Sequence, residues 1–431
     1  MIDPSRRRIA IVGTGIAGLG CAHFLHRRHD LTLFEANSRA GGHSHTITIP
    51  EGDQKVSFDT GFMVYNEVTY PHLTRLFKEL GVATEPTSMS FSVHHGPSGI
   101  EWNGSGLNTL FGQRRNLLNL RHWRFLFQLN RFNRESVAAL NEARWERMSL
   151  GEYVKSRGYG QDFFDRYLAP MASAVWSTPP DLIADFPALT LLRFWHNHGF
   201  LGLDTQHPWR TVTGGSRSYV EKLTEPFQDR ILLETPVRGI ERKPGQGVVV
   251  ISDRGKEAFD AVIIAAHGDQ AFRMLLDRTP LETDLLQHFR YQGNPVDVHT
   301  DPRFMPGKRR CWASWNYRST VNADGHTETT THYWMNSLQG VSDRENYFVS
   351  LNARGKVPQE AVKRRLEYEH PLFDLAAREA QCRLPELNAA GADSGTYFCG
   401  SYFRYGFHED ALLSSVNLCG QLLGGDPWTL R

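Results

Sequence analysis

Cysteine, charge imbalance and long apolar runs are all scarce in this sequence, and each shortage excludes a class of protein. Its five cysteines (Cys21, Cys311, Cys382, Cys399 and Cys419) are scattered, odd in number and free of C-x-x-C spacing. That argues against a disulfide framework or a zinc site, so no metal is expected, and it suits a reducing, cytoplasmic compartment. No apolar run reaches the roughly 20 residues of a membrane-spanning helix. Neither sign of charge dominates: the net charge is +1 with 22% charged residues, so nothing global points to nucleic acid. Aromatics, by contrast, are plentiful at 11% with ten tryptophans. They suit the lining of a pocket for a large flat or apolar ligand, although core packing is their commoner use. At 431 residues the chain is long enough for two or three domains.

What is present is concentrated first in residues 8–46. Arg8 to Val12 is a strand-like apolar run, followed by Gly13, Gly15 and Gly18 as G-x-G-x-x-G, a helical stretch over 16–29 and a second strand, Leu31 to Glu35. Gly13 permits a tight turn, Gly15 lets a pyrophosphate approach the backbone, and Gly18 allows close helix–sheet packing. Phosphates sit on the free N–H groups of the helix start, with Ile16 and Ala17 in its first turn. Glu35 can accept from ribose hydroxyls, with Ala36 beside it. Arg6-Arg7-Arg8 ahead of an apolar run and Cys21 imitates a secretion signal. A signal needs neither the glycine cadence nor a following strand that ends on an acid, so a folded strand is expected here.

A second glycine pair follows in Arg39-Ala40-Gly41-Gly42-His43-Ser44-His45-Thr46, where bare backbone again meets a ligand and Arg39 can neutralise phosphate. The pattern E-x(6)-G-G-x-x-x-T after the dinucleotide fingerprint resembles the flavin amine oxidase and phytoene desaturase superfamily. Many members carry Arg after the glycine pair, where this chain has His43. The resemblance implies FAD as cofactor. It implies that Asp59-Thr60-Gly61-Phe62 forms a turn beside the flavin ring and that the Val237 backbone pairs with the adenine. It places Ala265 at the end of a buried parallel strand. Thr396 to Ser401, with Gly400, then leads through Gly406, Phe407 and His408 into a helix carrying Ala411 and running to Leu423, whose N-terminus faces the flavin.

Chemistry signals are thinner in the middle of the chain. Pro71 to Leu80 has helical spacing, Phe91–Val93 and Ile100–Trp102 read as a hairpin, and residues 114–147 read as helical. Between Gly112 and Arg134 there are six arginines and no acid, interleaved with Leu117, Leu118, Trp123, Phe125, Phe127 and Phe132. This segment suits peripheral contact with an anionic membrane, at the inner membrane surface, or equally a solvated cationic face on a lid helix. In projection Leu118, Phe125, Leu129 and Phe132 share a face, with Trp123 and Phe127 among the arginines. Tyr167 to Ser177 resembles the superfamily's substrate-domain helix. His207 to Val220 reads as strand, glycine turn and helix returning to the nucleotide domain, and residues 230–266 as short strands including 259–265. The rings of Phe194 to Phe200, Cys311 to Tyr317 and Thr331 to Asn336 are candidates for the substrate cavity.

The expected fold is α/β: a Rossmann-type, glutathione-reductase-like FAD-binding domain with an interleaved α+β substrate domain. The division expected is 1–70, 207–270 and 385–431 for the first, and 71–206 and 271–384, with a helical lid, for the second. The runs W-R-T-V-x-G-G-S-R-S-Y-V, W-A-S-W-N-Y, Y-W-M-N-x-L-Q and Y-G-F-H-E-D resemble FAD oxidoreductases encoded beside cyclopropane-fatty-acid-synthase-like methyltransferases. That resemblance implies a small-molecule lipid substrate, a methyltransferase as functional partner, and desaturation of a fatty-acyl chain by hydride transfer to flavin N5. The alternatives are amine oxidation, a flavin-dependent lipid isomerase, or a non-catalytic methyltransferase partner with structural FAD. Many amine oxidases hold a lysine near the flavin; the corresponding stretch here, Pro295 to His299, has Asp297 and His299 instead. The candidate catalytic residues are Tyr405 and His408, with His299 as the alternative base.

Overall fold

The computed structural model describes residues 6–202, 205–243, 245–322, 324–325 and 327–430. The first five residues of the expected 1–70 segment lie outside these. A five-stranded sheet runs in the spatial order Ile231–Leu232, Asp30–Phe34, Arg8–Val12, Ala261–Ile264, Thr396–Phe398. All its neighbours are parallel. The central strand is buried on both faces, which is why Ile9, Ala10, Ile11 and Val12 are all apolar. Far from being a secretion signal, the Arg8 run is the middle of this sheet. On one face the helix Ile16–Leu25 packs against the C-terminal helix His408–Leu423. The contact is close: a Cβ on Gly20 would stand 3.0 Å from Leu412, and the Ser415 hydroxyl donates to the Ala17 carbonyl at 2.6 Å.

Residues 259–265 do not form one strand. Gly255–Phe259 closes an antiparallel meander with Val237–Lys243 and Gly247–Ser252, and Ala261–Ile264 enters the parallel sheet. Asp260 makes the break: its N–H donates to the Arg8 carbonyl at 2.9 Å while its carboxylate accepts from the Arg8 N–H at 2.7 Å. A seven-stranded sheet is built from Val362–Leu372, Arg290–His299, Phe348–Leu351, Thr327–Trp334, Trp315–Val321, Phe91–His95 and Ile100–Asn103, in that order. It is antiparallel except where Trp315–Val321 meets Phe91–His95. Trp209–Val212 does not return to the parallel sheet. It pairs with Tyr65–Asn66 and Thr84–Thr87.

The helical stretch expected over 114–147 is interrupted. A 3-10 turn, Arg114–Leu118, is followed by a helix, Leu120–Ala139, that starts where the Asn119 side chain accepts from the Arg121 N–H at 3.0 Å. Asparagine at this position satisfies donors that the helix cannot, and so sets its start.

Asp59 joins segments that are far apart in the chain. Its carboxylate is buried and accepts from Thr46 Oγ1 at 2.7 Å, Ser216 Oγ at 2.6 Å, the Ser216 N–H at 2.9 Å and Gln339 Nε2 at 2.9 Å. Its own N–H donates to Gln339 Oε1 at 2.9 Å. One carboxylate thereby holds the hairpin Thr46–Glu51/Gln54–Asp59, the turn before the helix Arg217–Thr224, and the helix Met335–Gln339. Burial raises the Asp59 pKa, and the converging donors oppose that rise.

Asp59→Ala would leave these buried donors without an acceptor. The expected loss is about 3 kcal/mol or more in a urea titration; a midpoint within error of the parent would refute the role. A second expectation concerns acid. Burial, the largest cause in each case, lowers His45, His122, His198, His299 and His370 to about 4 and His408 to about 3. The unfolded chain binds more protons than the folded one between those values and the ordinary 6.5, so their contribution, full above 6.5, is lost as pH falls. Glu409 and Asp410, raised by burial to about 7 and about 6, act oppositely: their contribution is full at low pH and is lost as pH rises. The histidines outnumber them, so the melting temperature should fall from pH 7 to pH 5. Calorimetry showing a rise over that interval would contradict this.

Candidate functional site

A cavity of about 930 Å³ runs between the parallel sheet and the seven-stranded sheet. At one end lie Gly13, Gly15, Ile16, Ala17, Glu35, Ala36, Arg39, Val237 and Ala265. The helix Ile16–Leu25 begins at Gly15 with no side-chain cap, so its first N–H groups are open to a ligand. A Cβ at Gly15 would point into free space, whereas one at Gly18 would fall 1.9 Å from the Gly13 carbonyl oxygen. Gly18 does not line the cavity; it lets the helix lie on the strand. Glu35 is held in place: Oε2 accepts from the Thr14 N–H at 3.1 Å and hydroxyl at 2.5 Å, and Oε1 from the Asn37 N–H at 2.9 Å and Nδ2 at 2.7 Å.

The second glycine pair forms the adjoining wall. Gly42 packs so close to Gly15 that a Cβ on it would meet the Gly15 Cα at 2.9 Å. A Cβ on Gly61 would meet the His43 carbonyl oxygen at 2.2 Å. Gly41 and Thr60 lie behind the wall: the Gly41 N–H donates to the Thr14 carbonyl at 2.9 Å, and the Thr60 N–H to the His45 carbonyl at 2.9 Å. Arg39 lines the cavity and donates to the carbonyls of Gly42 at 2.7 Å and Ser44 at 3.2 Å, holding the loop. His43 lines the cavity, and its buried Nε2 has no hydrogen-bond partner. Burial, reinforced by His370, His267 and His408, keeps its pKa well below the ordinary value. An uncapped helix start, an open glycine, a fixed carboxylate and an unpartnered imidazole fit an extended dinucleotide such as FAD.

The C-terminal unit supplies Gly400, Gly406, Phe407, His408 and Ala411 to the same cavity, beside Gly61 and Phe62. The His408 ring stacks on Phe62 at 3.9 Å with an 11° interplanar angle. Its Nε2 is 2.7 Å from the Tyr219 hydroxyl, which is 2.5 Å from Ser44 Oγ. Burial keeps His408 neutral and raises Tyr219 above its ordinary value, so both stay uncharged at neutral pH. The chain has two settings. Either Tyr219 donates to Nε2 and His408 presents Nδ1–H, or Nε2–H donates to Tyr219 and Nδ1 presents a lone pair. Glu409 and Asp410 face away: Glu409 accepts from the N–H groups of His72 at 3.0 Å and Leu73 at 2.9 Å, and Asp410 from the Phe407 N–H at 2.9 Å.

Two candidate catalytic residues are not brought to the cavity. The Tyr405 carbonyl accepts from Trp176 Nε1 at 3.0 Å, and its ring lies beneath the Arg404 guanidinium at 4.8 Å. His299 is buried within the seven-stranded sheet, where Nε2 contacts Ser350 Oγ at 2.7 Å and Nδ1 accepts from the Asp301 N–H at 3.1 Å.

The far end of the cavity is apolar. Trp176, Phe194, Phe200, Trp209, Trp315 and Tyr333 line it with Met89, Val175 and Leu338. Phe194 stacks on Phe407 at 4.6 Å and Trp315 on Tyr333 at 5.7 Å. The charged lining residues (Glu35, Arg39, Arg238, Arg273, Glu367 and Glu369) all belong to the nucleotide end, and no lysine lines the cavity among the described residues. Tyr219 and Ser44 were not legible as site residues because each acts through another residue, whereas Asp59 stands in the turn that the sequence marks and acts from behind the cavity wall. His267, Tyr368 and His370 also line the cavity, and they come from segments without a local motif. The one available signal was the clustering of rings at 194–200, 311–317 and 331–336.

Solved structures of similar shape are oxidoreductases and an isomerase. Cyclohexylamine oxidase from Brevibacterium oxydans IH-35A is 17% identical with a TM-score of 0.66, over 97% of this chain and 99% of that one. Putrescine oxidase bound to putrescine is 15% identical with a TM-score of 0.66, at the same coverages. A fatty acid isomerase from P. acnes that produces CLA is 14% identical with a TM-score of 0.67, over 98% and 99%. At these identities the likeness establishes the fold. The profile of the flavin containing amine oxidoreductases matches residues 16–301, more than half of the sequence and most of the cavity's nucleotide end, and the chain accordingly belongs to that family of FAD-dependent oxidoreductases.

Proposed function

We propose that this FAD-dependent oxidoreductase dehydrogenates an apolar acyl chain. One observation carries the reading: the end of the cavity away from the glycine turns is walled by aromatic and aliphatic side chains and holds no charged residue among those described. Burying an ammonium without a partner costs several kcal/mol, and an aromatic wall returns only about 2 kcal/mol through cation–π attraction. A neutral hydrocarbon instead gains about 0.8 kcal/mol per buried methylene. The resemblance to oxidoreductases encoded beside lipid methyltransferases agrees, with such an enzyme as the source of the substrate.

When bound, FAD supplies the two-electron acceptor. The chain's own residues do the rest. Trp176, Phe194 and Phe407 form a cluster of packed rings that orients the substrate and excludes water. His408 lines the cavity, and Tyr219, with Ser44 behind it, is placed to exchange a proton with its Nε2. A neutral imidazole there can accept the proton that leaves the substrate as the hydride departs, and the Tyr219 hydroxyl can stabilise the protonated ring by accepting from it.

Family membership keeps amine oxidation as the second reading, and the two are separable. Anaerobic addition of phospholipid-derived fatty acids should bleach the flavin absorbance and yield products lighter by two hydrogens. Bleaching by amines alone, with lipid unchanged, would overturn the proposal. His408→Ala should keep its FAD and lose about 100-fold in turnover. Tyr219→Phe should alter the pH profile more than substrate affinity. Full activity in His408→Ala would remove His408 from the reaction.

A further inference from the structure

The protein's exposed apolar surface is unevenly distributed. Twelve large apolar side chains are exposed among the described residues, and seven of them (Leu107, Leu117, Leu118, Leu120, Trp123, Phe127 and Val137) fall within residues 107–137. Leu118 is 91%, Leu120 84% and Phe127 78% accessible. An isolated exposed leucine needs no explanation, but a group of this size does. On the helix Leu120–Ala139, residues 120, 123, 124, 127, 131 and 134 follow the i, i+3, i+4, i+7 spacing of one face, and His122, Phe125, Phe132 and Ser136 are buried on the other. Trp123 Nε1 donates to the Leu117 carbonyl at 2.9 Å, and the Phe111 ring is 5.2 Å from Trp123. These contacts tie the preceding turn to the start of the exposed face.

The sequence projection grouped Leu118 with Phe125 and Phe132. The structure separates them, because Leu118 belongs to the 3-10 turn that precedes the Asn119 cap. The exposed face is the one on which aromatic and arginine residues are mixed. Arg114, Arg115, Arg124 and Arg134 are exposed and have no carboxylate partner among the described residues; Arg114 donates to Asn108 and the Phe111 carbonyl and Arg115 to the Gly99 carbonyl, neutral acceptors that leave their charge uncompensated. The nearby acids are already engaged. Asp162 accepts from Arg121 at 2.5 and 2.6 Å, and Glu135 from Arg131 at 2.8 Å with Arg157 at 3.0 Å.

We infer that this face docks on a lipid bilayer containing anionic headgroups. The helix lies in the interface plane with Leu118, Leu120 and Phe127 reaching the acyl region and the unpaired arginines meeting lipid phosphates. Charge decides between occupants: a second copy of the chain would bring the same cations against each other, whereas an anionic bilayer neutralises them. The position is also apt for delivering a lipid. The helix's buried face packs toward the cavity wall, Phe125 against Trp102 at 6.0 Å, Trp102 against Phe91 at 6.2 Å and Phe91 against Trp315 at 5.8 Å, so the docked face and the apolar end, lined by Trp315, belong to one packed unit. Docking does not depend on the acyl-chain reading: an amine substrate would leave vesicle binding unchanged.

The test is co-sedimentation of the FAD-loaded protein with phosphatidylcholine vesicles and with vesicles containing about one-third phosphatidylglycerol, at low salt and at about 0.5 M salt, where charge attraction is screened. Binding should favour the anionic vesicles and weaken with salt. Leu118→Glu/Phe127→Glu should weaken partition at least tenfold. Arg124→Glu/Arg134→Glu should remove the preference for anionic vesicles. Both variants change solvent-facing side chains and should keep the parent's flavin content. Failure to bind either vesicle would overturn the inference. So would a concentration-dependent dimer that Leu118→Glu/Phe127→Glu dissociates, since the face would then belong to a second copy.

Discussion

Four donor groups from Thr46, Ser216 and Gln339 converge on a carboxylate that water does not reach, and the cavity takes its shape around that point. Asp59 touches no part of the cavity itself. It fixes where the Thr60-Gly61-Phe62 turn leaves the hairpin, and so where Gly61 meets His43 and where Phe62 stacks under His408. It also holds the helix Met335–Gln339, which puts Leu338 into the apolar wall. A buried charge is tolerated only where its lone pairs are satisfied, so the donors and the acceptor specify each other. The geometry of both ends of the cavity follows from that mutual requirement.

The two ends differ in chemistry because they are built from different kinds of element. The nucleotide end is made of turns and helix starts, where backbone N–H groups are free and glycines leave room. Its selectivity comes from main chain and one fixed carboxylate. The apolar end is made of sheet faces and helix sides, whose backbone groups are already paired, so only side chains are available to line it. Those side chains are rings packed on one another: Trp176 tilted against Phe194, Phe194 stacked on Phe407 and Trp315 on Tyr333. His408 stands where the ends meet, at the start of a helix yet stacked on an aromatic ring.

Much of the nucleotide end was legible in the sequence because its parts are local. Strand, glycine turn and helix over 8–25, the acid at Glu35 and the glycines at 41 and 42 each depend on near neighbours, and the Asp30–Phe34 and Ala261–Ile264 strands show as continuous apolar runs. Less was legible where a boundary depends on a distant partner. The strand expected over 259–265 breaks because Asp260 pairs with Arg8, about 250 residues away in sequence. Trp209–Val212 reads locally as a strand, but its partners at 65–66 and 84–87 are remote in sequence. Tyr405 and His299 suit the role by residue type, but neither is among the residues that line the cavity.

The sequence by itself determined the glycine turns and the class of the fold, since a glycine's freedom and a strand's apolar run are properties of short segments. Only the tertiary structure decided which imidazoles line the cavity and that Tyr219 stands behind His408. It also decided that the aromatic residues among the arginines of the 120–139 helix are the exposed ones. Those outcomes depend on which side chains from remote segments compete for the same buried space, and no local pattern carries that information.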